Sequence, residues 1–72
     1  MNKEEFLSKF QDVLQKDEAL TMEMNLADIP EWDSLAVLST CLFLNENGGK
    51  ALVMEDIAGL KTVADIGALL GL

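Results

Sequence analysis

The chain has no histidine and no arginine, and its only cysteine is Cys41. Without a second cysteine no disulfide can form within it. With no histidine and one thiol, a structural zinc site lacks its ligands. The missing histidine also removes the base of a Ser-His-Asp triad, which excludes that class of hydrolase. Positive charge is scarce. Five lysines face 13 acidic residues, for a net charge of −8. Such a surface repels nucleic-acid phosphates and anionic membranes alike, and it suits partners that carry basic patches. The longest apolar runs, Leu35 to Leu38 and Cys41 to Leu44, are far too short to insert across a bilayer. Residues Met1 to Glu5 are charged, with no apolar stretch of signal-peptide length behind them. A lone thiol and no such signal predict a cytoplasmic protein.

What is present is a core. Half of the 72 residues are hydrophobic, so the chain is no disordered acidic tail. Its length gives one domain over 1–72, near the lower limit for a core without staples. A single, acidic, non-catalytic domain, expected as a monomer, is the class these numbers favour.

The local patterns are helical. Asn2 followed by Glu5 makes a capping box. Phe6, Leu7, Phe10, Val13 and Leu14 then form one apolar stripe, predicting a helix over about residues 3 to 16. Leu20, Met22, Met24 and Leu26 alternate with polar residues, but no strand partner is evident. This stretch is read as a long extended loop laid over a helical core, apolar side chains inward. Pro30 keeps Ile29 out of the helical region and prolongs it. Asp33 is a good N-cap for a second helix, with Trp32 and Val37 placed for a hydrophobic staple. That helix runs to Asn47-Gly48-Gly49, where glycine permits a left-handed stop. Glu55 and Asp56 open a short helical turn that Gly59 ends. Thr62 caps the last helix, with Asp65 three residues on, Val63, Ile66, Leu69 and Leu70 inward, and Gly71 closing it. The expected fold is all-α: a small antiparallel four-helix bundle of three main helices and one short one, with a long first loop.

Chemistry concentrates at Glu31-Trp32-Asp33-Ser34-Leu35. A serine at the first position of a helix lies beside unpaired amides and the positive end of the helix dipole, which favours a phosphate on its hydroxyl. Alone, Asp-Ser-Leu is also just a good helix start. In context it gains weight. A long loop leads into Asp33-Ser34-Leu35 near mid-chain, Leu38 and Leu42 continue the apolar edge, and Thr62-Val63-Ala64-Asp65 opens the last helix. Over essentially its whole length the chain resembles the acyl carrier proteins and related phosphopantetheine carriers. The resemblance implies a 4′-phosphopantetheine arm joined to Ser34 through a phosphodiester and ending in a thiol that holds acyl groups as thioesters. It implies that Asp33 helps position the metal when a separate phosphopantetheinyl transferase installs the arm. The partners it implies are that transferase and the acyl-loading and acyl-using enzymes.

One departure from the family stands out. The second helix carries no charge from Leu35 to Asn45, where the fatty-acid-synthase carriers are strongly acidic. A helix apolar nearly all round cannot bury every face in so small a bundle, so Leu35, Leu38 and Phe43 are the expected docking patch. This, with Trp32 before Asp-Ser-Leu, points to a specialised biosynthetic pathway. The rival readings are an aminoacyl or peptidyl carrier of the same fold, a helical adaptor without a prosthetic group, and, more distantly, an enzyme with a Ser34 nucleophile and a lysine base. Cys41 among apolar residues reads as inert core. Met22, Met24 and Met54 read as core filling. Asp17-Glu18 and Glu55-Asp56 read as solvated surface, since they match no calcium-loop spacing.

Overall fold

In the computed structural model, residues 1–48 and 51–72 are described. The first helix, α1, spans Lys3–Leu14 and starts as its sequence requires. The Glu5 amide donates to Asn2 Oδ1 at 2.8 Å, and the Asn2 amide reaches Glu5 Oε1 at 3.4 Å. The stripe predicted for it is the buried face: Phe6, Phe10 and Leu14 are inside. Phe6 and Phe10 stack with their centroids 5.5 Å apart. The helix stops two residues short of the predicted end. Gln15 adopts a left-handed conformation, φ 55°. The Gln15 and Lys16 amides then turn back to the carbonyls of Asp12 and Gln11, both at 3.1 Å. That pair of bonds is a Schellman stop built without glycine.

The long loop follows the reading made from its alternation. Leu20 and Leu26 are buried and Met22 and Met24 half-buried, while Thr21, Glu23 and Asn25 between them are exposed. Its partner is the start of the last helix rather than a strand. Asn25 forms a single bridge with Thr62. Around it, the Leu26 amide donates to Lys61 O at 2.8 Å, the Val63 amide to Met24 O at 3.0 Å, and the Ala64 amide to Met22 O at 2.9 Å. A short 3-10 turn, Leu26–Asp28, carries the chain onward to Pro30.

The second helix, α2, spans Ser34–Gly48. Gly49, expected in its left-handed stop, lies outside the described residues. α2 packs against α1 and against the short helix α3, Met54–Ala58. Asn45 pins the segment before α3 to α2: the Leu52 amide donates to Asn45 Oδ1 at 2.7 Å, and Asn45 Nδ2 donates back to Leu52 O at 3.0 Å. The Asp56 carboxylate accepts the Val53 amide at 2.9 Å to start α3. The last helix, α4, spans Val63–Ala68. It is shorter than predicted, because Leu69 and Leu70 belong to a tightened turn whose amides reach back only three residues. Gly71, φ 81°, closes it: the Gly71 amide donates to Ala68 O and the Leu72 amide to Gly67 O. Gly67 sits where α4 meets α1. A Cβ there would lie 3.2 Å from the Phe6 ring and 3.1 Å from the Met22 methyl.

Among the described residues the protein is a small all-α bundle of four helices with no named strand. Its core joins Phe6 and Phe10 of α1, Leu26 and Ile29 of the loop, Leu44 of α2, Ile57 of α3, and Val63 and Ile66 of α4. Each such side chain, fully buried, contributes about 1.5–3 kcal/mol. A radius of gyration of 10.8 Å matches the roughly 11 Å of one folded domain of this length. No described helix is long and apolar enough to cross a membrane.

Candidate functional site

The start of α2 is held from three sides. Asp33 caps it: the Ala36 amide donates to Asp33 Oδ1 and the Val37 amide to the Asp33 carbonyl, both at 2.9 Å. Trp32, one residue earlier and half-buried, meets the Phe10 ring edge-on at 6.2 Å between centroids. That contact fixes the loop's last residues on α1. Glu31 completes the hold. Its carboxylate lies 3.6 Å from Lys16 Nζ, and the Lys16 side chain is only 9% exposed. Glu18 lies on the same ammonium at 3.8 Å. Lys16 thus links the end of α1 to the entrance of α2 by two long ion pairs, and Glu31 Oε1 has no hydrogen-bond partner. Sequence spacing gave no sign of this pair, because 14 residues of loop separate its members.

Ser34 is the first residue of α2 and is exposed, as is Asp33. The Ser34 and Leu35 amides precede the first intrahelical bond, and no other partner takes them among the described residues. No acidic residue stands in the first turn of α2, whereas the first turns of α1, α3 and α4 all hold one or two. Apart from the cap, Asp33, whose carboxylate itself meets the dipole end, this turn carries no acid, and the helix presents two free donors beside an exposed hydroxyl, an arrangement suited to a phosphate ester.

Of the three residues expected to stand exposed on α2, two do. Leu35 is 70% exposed and Leu38 42%. Phe43 is not part of it: at 9% exposure it belongs to the core. The third exposed leucine is Leu42, 56% exposed. Leu35, Leu38 and Leu42 stand at i, i+3 and i+7, one face of a helix, and Phe43 is turned about 100° away from Leu42. That spacing was available in the sequence but is masked by the apolar residues all round it. Val53 and Met54, at the start of α3, are exposed as well. Cys41 is buried, and its thiol donates to Leu52 O at 3.3 Å.

The last helix starts with different electrostatics. At the start of α4 Asp65 Oδ2 accepts the Thr62 and Lys61 amides, both at 3.1 Å. The bond from the Thr62 amide, then that from Lys61, holds the Asp65 carboxyl below its ordinary range. Comparison with known proteins finds no match: no family model, no curated protein and no solved structure matches the chain.

Proposed function

We propose that the chain is a carrier of acyl groups, holding them as thioesters on a 4′-phosphopantetheine arm attached to Ser34. One observation carries this reading. In a chain with 13 acidic residues, the first turn of the longest described helix carries no acid beyond its cap Asp33, and an exposed serine stands there beside two unspent amides. The residues fit the group. Ser34 Oγ is the ester position, the Ser34 and Leu35 amides are donors in reach of a phosphate, and Asp33 holds the turn by taking the Ala36 amide. When attached, the arm supplies a terminal thiol whose thioester is activated for acyl transfer. The chain's own residues do the rest without acid–base chemistry: Asp33, Trp32 and Glu31 orient Ser34 outward, and the apolar face of α2 offers enzymes a place to dock.

Docking would rest on Leu35, Leu38 and Leu42, and Val53 and Met54 at the start of α3 are further exposed apolar side chains. Glu46, Glu55 and Asp56 on the adjoining segments would steer basic partners to that face. A dedicated biosynthetic pathway fits such an apolar patch better than the acidic helix of the fatty-acid-synthase carriers.

Incubation with coenzyme A and a broad-specificity phosphopantetheinyl transferase, followed by intact mass, tests the reading. The mass is expected to rise by one phosphopantetheinyl group. An unchanged mass with several transferases overturns the carrier reading and leaves the adaptor.

A further inference from the structure

Lys3, Lys9 and Lys61 are exposed, but Lys16 is not. Its backbone is fixed on both sides. The Lys16 amide donates to Gln11 O at 3.1 Å, and the Lys16 carbonyl accepts Gln11 Nε2 at 3.0 Å. The end of α1 therefore carries the ammonium to its place, 3.6 Å from Glu31 Oε1 and 3.8 Å from Glu18 Oε1.

Glu18 is almost wholly exposed, but Glu31 Oε1 is closed off from solvent and accepts no hydrogen bond. A buried carboxylate oxygen without a donor stays in place only while a counter-charge faces it. Lys16 is the one cation within ion-pair distance of it among the described residues. Glu31 is tied in turn to the helix start. Its carbonyl accepts the Asp33 amide at 3.0 Å, and the Asp33 carboxylate caps the Ala36 amide at 2.9 Å. Ser34 follows Asp33 directly. A chain of contacts thus runs from Lys16 through Glu31 and Asp33 to the turn that presents Ser34.

We infer that Lys16 is a positioning residue for Ser34: through Glu31 it holds the entrance of α2 in the conformation in which Asp33 caps the helix and Ser34 stands free for the transferase. The inference rests on Ser34 being the attachment site, but its first test does not require loading. Amide exchange is followed by NMR in Lys16→Met, which keeps the apolar stem and loses the charge. One ion pair shifts the ratio of open to closed entrance about fivefold, and a helix's first turn is already open part of the time. The Asp33 and Ala36 amides are therefore expected to exchange about twofold faster, while Val63 and Ala64 at the start of α4 keep their rates. Lys16→Arg restores the wild-type rates. Glu31→Gln has the same effect as Lys16→Met, and combining the two adds nothing. In transfer of the arm, Lys16→Met is expected to raise the KM for the protein about twofold at unchanged kcat, because only the closed form is competent to bind. Unchanged exchange at Asp33 and Ala36, equal acceleration at Val63 and Ala64, additive effects in the double variant, or an unchanged KM overturns the inference. Failure of the carrier reading shows separately, as an unchanged mass of the wild-type protein after transferase treatment.

Discussion

The starts of α2 and α4 use the same device to opposite ends. Each has a capping side chain, Asp33 or Thr62, that accepts the amide three residues on. At α4 the account then closes. The Val63 and Ala64 amides are taken by the carbonyls of Met24 and Met22, and Asp65 bonds back to the Thr62 amide. At α2 it stays open: Ser34 and Leu35 keep their amides, and the residue matching Asp65 is Ala36. A helix start whose donors are all satisfied is a structural joint. One whose donors are left free, beside an exposed hydroxyl, is a place for an anion from outside. Capping chemistry thus separates a helix start tied into the rest of the fold from one whose first amides stay free.

The comparison breaks most visibly at Asp33. It is the one side-chain cap of α2, with no reciprocal carboxylate behind it. Asp33→Ala is expected to lower stability by about 1–2 kcal/mol in urea melts and to slow transfer of the arm to Ser34. Thr62→Ala is expected to cost about 1 kcal/mol, because the bonds from the Val63 and Ala64 amides to the loop remain. It has a second signature. The folded Asp65 carboxyl titrates below its unfolded value. Its contribution is therefore fully present above the unfolded value and is lost as pH falls through the folded one. Asp65→Asn is expected to flatten the acid limb of a stability–pH profile, whereas Ala36→Ser leaves that limb unchanged.

Two smaller effects sharpen the contrast. The α1 and α4 stops are the same motif with different residues in the left-handed position, Gln15 and Gly71. Gln15→Gly relieves the Cβ crowding there and is expected to raise stability by about 1 kcal/mol in thermal melts. Leu35→Glu places a carboxylate in the first turn of α2 at an exposed position. It is expected to stabilise the fold by about 0.3–1 kcal/mol through the dipole while slowing loading of Ser34. A variant both more stable and slower to load would show that the missing acid serves function at the expense of stability. Equal loading rates would mean that the empty first turn has no bearing on the phosphate.

The helix ends closed by local bonds were the more legible from sequence. Asn2 with Glu5, Thr62 with Asp65, and Gly71 each act within three residues, so local chemistry determined them. The alternation of Leu20, Met22, Met24 and Leu26 disclosed the inward face of the loop, but not that its carbonyls satisfy the first turn of α4. That pairing joins residues some 40 positions apart. The face of α2 was misread at Phe43 because a helix apolar on all sides offers no period to follow. There only the positions of α1 and α3 decide what is buried, and they leave Leu42 outside. Lys16 and Glu31 escaped notice for the same reason: a surface-type lysine becomes a brace only once the loop brings the two ends together.

The central claim is that Ser34, at the open start of α2, receives the arm. The chain has two other serines, Ser8 and Ser39, which serve as internal controls. Fragmentation mass spectrometry of the protein treated with coenzyme A and transferase is expected to place one phosphopantetheinyl group on Ser34 and none on Ser8 or Ser39, with no mass gain in Ser34→Ala. A group mapped to another residue, or a gain that persists in Ser34→Ala, would contradict it.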